Sequence, residues 1–227
     1  MKTFIIVMEE SQLSVDVSRD CITAANQLKI YPEIWPAVNG MNCDHLFEEY
    51  GITDFHGEAM KNLPGVRGCF LSHFQLWLKC IELDETICIL EHDGYFVRPL
   101  PADVEKHFTE ILNLDPFAQK DPNYDKLVND SLDTDVDYFD PPAYKGTMIG
   151  GDYIQGAYGY LIKPIAAKKL VTFTKRTGAS PTDKHIGRNI IDLKSTTVPV
   201  VKLHEFYTTN GIIKNSSTKD LSKFIKE

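Results

Sequence analysis

Two acidic residues flank a histidine at the end of an apolar run, in the stretch CILEHDGYFV at residues 88–97. The apolar letters CIL give way to Glu91, His92 and Asp93, and Gly94 follows directly. In an extended segment the side chains of Glu91 and Asp93 point to the same side, because side chains alternate with a period of two. Carboxylate oxygens are the ligands that hard divalent cations prefer, and such cations keep open positions for water or substrate phosphates. The stretch therefore predicts a metal and phosphate site, or else a polar strand end that turns into solvent.

The size and composition of the chain indicate one large folded domain covering residues 1–227. Hydrophobic residues make up 43 % and aromatic residues 11 % of the 227 positions, which is enough for a substantial core. The net charge of −8 argues against binding to nucleic-acid phosphates as the main activity. No apolar run reaches the ~18 residues that a membrane-spanning helix needs, so no membrane span is predicted.

The cysteine pattern is typical of a protein from a reducing compartment. The chain has five cysteines, an odd number, and no CxxC pair. Glu9 and Glu10 follow the apolar run at 3–8, which is typical of a first strand rather than of a signal peptide. We therefore expect reduced, mostly buried thiols and a cytoplasmic location.

Hydrophobic spacing along the chain predicts the elements that must position the acidic pair. A strand at 3–8, a helix at 14–28 and a strand at 30–38 open the chain as an α/β protein. The clearest helical spacing covers 66–83, directly before the strand that ends at the acidic pair. Further elements are predicted as helices at 103–114 and 164–173, strands at 85–90, 157–162 and 197–203, and a short helix or loop at 181–191.

Residues 115–145 are predicted to form a loop insertion. Eight aspartates lie between positions 115 and 140, and the hydrophobic spacing there has no sustained period. A segment of this kind is typical of a lid, a specificity loop or a solvated excursion. No linker divides the chain, so we expect the insertion to belong to the single domain.

Several motifs resemble those of one enzyme family when they are taken in chain order. The stretch GVRGCFLSHFQLWLKCIELDETICILEHDG resembles the central signature of glycosyltransferase family 25, the group with bacterial lipooligosaccharide sugar transferases and collagen galactosyltransferase domains. In that family a Gly-Cys-x-x-Ser-His segment opens a helix, and a strand ending in Glu-Asp-Asp follows. The corresponding residues here are 68–73 and 91–93. The stretches EIWPAVNG, GAYGYLIKPIAAKKLV and SPTDKHIG resemble further family segments in the same order.

The chain departs from the family pattern at three places. The family carries Asn-Leu-Asp-Arg after its first strand, where this chain has the residues MEES at 8–11. Asn39 stands in place of the acid before Gly40, and His92 stands in place of the middle acid of the strand end. The departure at 8–11 bears on donor recognition, whereas His92 leaves the two outer acids, Glu91 and Asp93, in place.

The resemblance implies a fold and a reaction. The fold is of the GT-A type, a Rossmann-like α/β fold whose mostly parallel central sheet is flanked by helices and holds a nucleotide-sugar near its strand ends. The reaction is a direct displacement with inversion at the sugar carbon, supported by Mn²⁺ or Mg²⁺. A UDP-sugar is the expected donor. The acceptor is a glycan hydroxyl, with hydroxylysine or a hydroxymethylated nucleic-acid base as alternatives.

The same resemblance assigns metal ligands. Asp93 is the first candidate, and Glu91 either joins it or binds the ribose of the donor. His204 follows the last predicted strand, and a late histidine completes the metal shell in many enzymes of the GT-A type. For each residue the alternative is a structural role at the end of a strand.

Two aspartates are candidates for the general base that takes the proton of the acceptor hydroxyl. Asp183 follows Pro181 in the segment that resembles a family motif, and Asp152 precedes the strand predicted at 157–162. Aspartates next to proline or glycine are also common as turn or cap residues.

Five further residues are predicted to bind the donor. Ser72 and His73 belong to the helix-opening motif, where backbone amides can face phosphate. Arg19 matches an arginine that the family places after its first strand. Gly40 and Gly68 would permit close approach of the backbone to a ligand, or serve turns and packing.

Two other classes of function compete with an active transferase. A non-catalytic module that binds a nucleotide-sugar or a glycan would explain the departures at 9–11 and His92. A two-metal phosphoesterase would need a cluster of histidines and aspartates, but the seven histidines are scattered along the chain.

Overall fold

The computed structural model of the chain describes residues 1–57, 61–117, 123–140 and 156–204, and the backbone of 206–208 and 211–213. Its helices are α1 (Gln12–Gln27), α2 (Asp44–Glu49), α3 (Pro64–Leu83), α4 (Tyr124–Asp130), α5 (Pro164–Thr177) and α6 (Thr182–His185). Its strands are β1 (Lys2–Val7), β2 (Glu33–Pro36), β3 (Ile87–Glu91), β4 (Gly94–Phe96), β5 (Ile111–Asn113), β6 (Tyr138–Phe139), β7 (Gly159–Ile162), β8 (Leu193–Thr196), β9 (Val201–Leu203), β10 (Phe206–Thr208) and β11 (Gly211–Ile213). None of the helices in these ranges is long and apolar enough to cross a membrane.

A seven-stranded sheet with the order β2-β1-β3-β7-β5-β8-β6 forms the centre of the fold. β1 pairs in parallel with β2 and β3, and β5 pairs in parallel with β8. β7 runs antiparallel to both β3 and β5, and β6 runs antiparallel to β8. Five of the seven strands therefore point in one direction, which confirms the predicted α/β class with a mostly parallel central sheet flanked by helices.

The side chains of β3 alternate between two cores, one on each face of the sheet. Ile87 and Ile89 join the core of α3 and α5, which contains Phe70. Cys88 and Leu90 join the core of α1 on the other face. A strand that is buried on both faces has a continuous apolar sequence, and the sequence of β3 is of this kind.

The predicted helix at 103–114 is wrong. A short 3₁₀ turn covers Val104–Lys106, and the chain then enters the sheet as β5 between β7 and β8. Asp103 precedes the turn without a side-chain cap hydrogen bond. The apolar residues at 111–114 are completely buried between neighbouring strands, so sheet pairing decides the conformation of this segment.

Two parts of the sheet were not predicted from the sequence. The hydrophobic spacing predicts no element for the residues that form β8, and only Val201–Leu203 of the strand predicted at 197–203 is a strand. The described part of the insertion predicted at 115–145 contains α4 and also β6, which forms an edge of the central sheet. This part of the insertion is therefore integrated into the fold.

Gly40 and Gly68 pack backbone against backbone where α3 passes the loop after β2. A Cβ atom on Gly68 would lie 2.3 Å from the carbonyl oxygen of Val38 and 2.9 Å from the nitrogen of Gly40. A Cβ atom on Gly40 would lie 1.7 Å from the carbonyl oxygen of Pro64. Packing alone therefore explains why both positions are glycine, and their predicted binding role stays a prediction.

We expect Gly68→Ala to lower the free energy of unfolding by about 1–3 kcal/mol, because backbone atoms must move to admit the methyl group. Urea denaturation with tryptophan fluorescence measures the change. Gly65→Ala is the matched control, since Gly65 is exposed in the same helix and alanine has the higher helix propensity there. Equal effects of the two substitutions would contradict the packing account.

Candidate active site at the strand ends

The carboxyl ends of the parallel strands meet at one edge of the sheet. Glu91 ends β3, Asp115 follows β5, and Tyr158 precedes the antiparallel β7, so these three residues lie at the same edge. The backbone N–H of Glu91 donates to the carbonyl oxygen of Tyr158 at 3.1 Å. Ligand sites of open α/β sheets lie outside the carboxyl ends of strands, which makes this edge the candidate active site.

The chain turns sharply after Glu91, and this turn explains the glycine that follows the acids. His92 and Asp93 form the turn, and Gly94 begins β4, which pairs antiparallel with β9. A Cβ atom on Gly94 would lie 2.4 Å from the carbonyl oxygen of Tyr158. Only glycine allows the two backbones to pass this closely, so the turn fixes the position of both acids.

Asp93 is buried without a partner for one of its carboxylate oxygens. The residue is 3 % exposed, and its Oδ1 atom has no hydrogen-bond partner among the described residues. Burial raises the pKa of Asp93 to about 6, the charge of His92 lowers it, and the charge of Glu91 raises it. A buried oxygen that lacks a partner is costly unless an ion or ligand contacts it, so Asp93 fits the role of a ligand to a hard divalent cation.

His204 lies next to Asp93 through its backbone. The N–H of His204 donates to the carbonyl oxygen of Asp93 at 2.7 Å, which joins the end of β9 to the turn. The His204 ring packs edge-on against Tyr95, and its Nε2 atom lies 3.7 Å from a carboxylate oxygen of Asp20. The structure thus places two of the predicted metal ligands side by side, and their ligation of a metal stays a prediction.

Glu91 faces α3 and is held there by two side chains of that helix. Its Oε1 atom lies 3.3 Å from Nε2 of His73 and 3.6 Å from Sγ of Cys69. Burial raises the pKa of Glu91, but the hydrogen bond and charge of His73 together with the charge of His92 outweigh burial, so the pKa lies below 4.5. The contacts of Glu91 with His73 therefore favour its ionised form.

A buried hydrogen-bond chain fixes His73. Nδ1 of His73 lies 2.9 Å from the hydroxyl of Tyr160, and Nε1 of Trp77 donates to the same hydroxyl oxygen at 2.9 Å. All three side chains are completely buried. The phosphate role predicted for His73 assumes a position at the start of a helix, whereas α3 begins at Pro64 and His73 lies in its interior. The position of His73 points instead to orientation of Glu91.

Ser72 also lies in the interior of α3 and connects two backbones. Its hydroxyl donates to the carbonyl oxygen of Gly68 and accepts from the N–H of Val38, both at 2.8 Å. Arg19 lies on the surface, where it pairs with Asp16 at 3.1 Å. No contact among the described residues joins Arg19 to the strand-end acids, and the donor roles of Ser72 and Arg19 stay predictions.

Asp183 lies in the first turn of α6 and within the electrostatic reach of Glu91. Burial raises the pKa of Asp183, the charge of Lys184 lowers it, and the charge of Glu91 raises it. Thr182, one residue earlier, contacts the Cys69 sulfur at 3.5 Å. The structure thus brings one predicted base close to the end of β3, while Asp152, the other predicted base, lies outside the described residues.

One acidic group at this edge was not identified as a site residue from the sequence. The buried Asp115 carboxylate accepts hydrogen bonds from the hydroxyls of Tyr124 and Tyr158, and its Oδ1 atom accepts from the N–H of Phe117 at 2.9 Å. The Tyr124 hydroxyl also accepts from the N–H of Leu203 at 3.1 Å. Asp115 therefore ties the start of the insertion to β7 and β9. Asp115 lies at the start of the segment predicted to form a loop insertion, and no sequence motif includes it.

The buried Asp115 carboxylate should make stability depend on pH. Burial raises its pKa to about 6, although the two tyrosine hydroxyls lower it. The folded state then binds the proton more tightly than the unfolded state, so this contribution to stability is complete below pH ~4 and is lost as the pH rises to ~6. We expect the free energy of unfolding of Asp115→Asn to rise by up to ~3 kcal/mol relative to that of the native protein between pH ~4 and ~6.

Urea denaturation of both proteins at several pH values tests this expectation. Asp135→Asn is the control, because Asp135 is exposed in the same segment and should leave the pH dependence unchanged. A constant difference between Asp115→Asn and the native protein from pH ~4 to ~6 would contradict the linkage.

Comparison with known proteins identifies the family. Residues 1–186 match the family model described as glycosyltransferase family 25 (LPS biosynthesis protein). One similar solved structure is a glycosyltransferase involved in the glycosylation of the major capsid of PBCV-1, with 8 % sequence identity, coverage of 78 % of this chain and 68 % of that chain, and a TM-score of 0.32. No curated protein matches the chain. Because the matching family model spans most of the 227 residues, the chain belongs to glycosyltransferase family 25 and is a glycosyltransferase.

Proposed function

We propose that the enzyme transfers a sugar from a nucleotide-sugar to an acceptor hydroxyl, with a divalent cation and with inversion at the sugar carbon. The observation that carries the proposal is the buried Asp93 carboxylate, whose Oδ1 atom lacks a partner among the described residues. It lies at the strand edge where α/β folds bind nucleotides.

Asp93 would hold Mn²⁺ or Mg²⁺, and His204 is the neighbouring group that can complete the site, since the Glu91 carboxylate faces α3. The cation would neutralise the negative charge that develops on the departing nucleoside diphosphate. Both residues lie at or next to the turn after β3, so their positions depend on the same backbone contacts.

Asp183 is the general base in this proposal. The acceptor oxygen bonds to the sugar carbon as the bond from that carbon to the diphosphate oxygen breaks, and the hydroxyl proton passes to Asp183. A pKa raised by burial and by the charge of Glu91 makes this carboxylate a stronger base than an exposed aspartate. His73 acts indirectly, since its hydrogen bond keeps the Glu91 carboxylate in place.

A glycan hydroxyl is the proposed acceptor, and UDP is the proposed nucleotide of the donor. The net charge of −8 disfavours a nucleic-acid acceptor, because association with phosphates requires a basic surface. Family membership supports sugar transfer and leaves the identity of the sugar to experiment.

A thermal-shift screen of nucleotide-sugars with and without Mn²⁺ tests the proposal. A ligand at 100 times its Kd stabilises the folded state by about 2.7 kcal/mol. We expect one donor to raise the melting temperature in the presence of Mn²⁺ and to release its nucleoside diphosphate when an acceptor glycan is added. Asp93→Asn should show neither effect, and Asp135→Asn should show both. Absence of any donor shift in the native protein at saturating concentration would contradict the proposal.

A further inference from the structure

We infer that Cys69, His73 and Glu91 form a binding site for a thiophilic divalent cation of the zinc class. The three side chains offer a sulfur, an imidazole nitrogen and a carboxylate oxygen, and these atoms lie within 4.8 Å of one another. The site involves neither Asp93 nor His204, and the inference does not depend on the proposed transferase chemistry.

Two of the three separations between the ligand atoms match a tetrahedral zinc site. Zinc bonds are about 2.3 Å to sulfur and about 2.0–2.1 Å to nitrogen and oxygen, so tetrahedral angles place oxygen ~3.3 Å from nitrogen and ~3.5 Å from sulfur. Oε1 of Glu91 lies 3.3 Å from Nε2 of His73 and 3.6 Å from Sγ of Cys69. The carboxylate oxygen therefore stands near the required distance from both other ligand atoms before any ion binds, and the sulfur and the nitrogen lie within 4.8 Å of each other.

Rigid elements hold the three ligands. Cys69 and His73 are four residues apart on α3, so they share one face of the helix, and Glu91 approaches that face from the end of β3. Nδ1 of His73, the ring nitrogen that would not bind the ion, contacts the hydroxyl of Tyr160. In metal-binding histidines the second ring nitrogen usually contacts an oxygen in this way. When Nε2 binds the ion, the ring proton moves to Nδ1, where the Tyr160 oxygen can accept it.

Charge balance also favours an ion of this class. A divalent cation bound by a thiolate, a neutral imidazole and a carboxylate has no net charge, which suits a largely buried position. Burial and the charge of Glu91 raise the pKa of the Cys69 thiol well above 9.0, so the ion must displace the thiol proton when it binds. Cys69 is half-buried and the Glu91 side chain is 24 % exposed, which leaves an approach from solvent.

The sulfur ligand distinguishes this site from the site proposed at Asp93. Thiolate prefers zinc and other soft or borderline ions, whereas Mn²⁺ and Mg²⁺ prefer carboxylate, carbonyl and water oxygens. Three protein ligands leave a fourth tetrahedral position for water or another small ligand. The chain thus offers two sites of different chemistry on either side of the turn after β3.

Cobalt spectroscopy of the full chain, freed of metals with a chelator, tests the inference. Co²⁺ replaces zinc in such sites, and a thiolate ligand adds a charge-transfer band in the near ultraviolet to the visible bands of a four-coordinate ion. We expect both signals at one equivalent of Co²⁺ and their loss when Zn²⁺ is added. Cys69→Ala should lose the charge-transfer band, and Tyr160→Phe should bind Zn²⁺ about 10-fold more weakly in competition with a chromophoric chelator.

Two control variants separate this inference from the proposed function. Cys88→Ala removes a thiol from the opposite face of β3 and should keep the band. Asp93→Asn should also keep the band, although it loses donor and Mn²⁺ binding. Absence of the band in the native protein, or its persistence in Cys69→Ala, would overturn the inference, provided that circular dichroism shows each protein folded.

Discussion

Asp93→Asn should abolish most of the activity and yet stabilise the metal-free protein. The carboxylate oxygen Oδ1 is buried without a partner among the described residues, and burial raises the pKa of Asp93 to about 6. At pH 7 the folded state must therefore keep a charged group in a site that disfavours charge. An amide removes this cost, and we expect the free energy of unfolding to rise by about 1–3 kcal/mol in the presence of a chelator.

The same substitution removes the proposed metal ligand. Loss of one preorganised group that stabilises transition-state charge typically costs ~10²–10³-fold in rate, and we expect a loss near the upper end. Urea denaturation with chelator and an assay of nucleoside diphosphate release measure the two effects on one preparation. Asp135→Asn, an exposed change of the same chemistry, should alter neither.

A gain in stability together with a loss of activity distinguishes a functional acid from a structural one. A structural role for Asp93 predicts that Asp93→Asn lowers stability and that any loss of activity follows unfolding. A more stable variant with full activity would show that the buried carboxylate contributes nothing to the reaction. Either result would contradict the proposed metal site at this turn.

The sequence predicted the fold best where apolar spacing and local geometry agree. The buried run before Glu91 and the aromatic spacing of α3 each admit one element type, and both elements are found in the structure. The segment 103–114 failed because its apolar residues suit a helix or a buried strand equally, and pairing with β7 and β8 decided between the two. Such pairing joins residues about 50 or more positions apart and leaves no local pattern.

The candidate site was predicted only in part, because several of its contacts also join residues that are far apart in the chain. The acids at the end of β3 stand out in the sequence, but the alternation rule for Glu91 and Asp93 requires an extended chain, and the chain turns at His92 and Asp93. Glu91 consequently contacts α3, whereas the charge of Asp93 raises the pKa of Cys21 on α1 after the larger effect of burial. The contacts of Cys69 and Tyr160 with this site arise only in the folded chain.

Asp183→Asn should reduce the rate by ~10²–10⁴-fold, the usual contribution of a general base, while donor and Mn²⁺ binding remain. Asp183 and Asp93 are thereby distinguishable, because Asp93→Asn should lose the thermal shift as well as the rate. Asp183→Glu is the matched control, since it retains a carboxylate and should recover part of the rate. A full rate in Asp183→Asn would assign the base to another residue.

The pH dependence of the rate gives a second test of the base. Burial and the charge of Glu91 raise the pKa of Asp183 above 3.8, against the lowering effect of Lys184. A base acts only when deprotonated, so the rate should fall as the pH falls through this raised pKa, at a higher pH than an exposed aspartate would give. In Asp183→Asn, assayed with saturating Mn²⁺ so that the Asp93 carboxylate stays deprotonated, the residual rate should lose this fall at low pH. Initial rates under subsaturating donor measure it, because kcat/KM reports groups of the free enzyme, and an unchanged fall at low pH in Asp183→Asn would contradict the assignment.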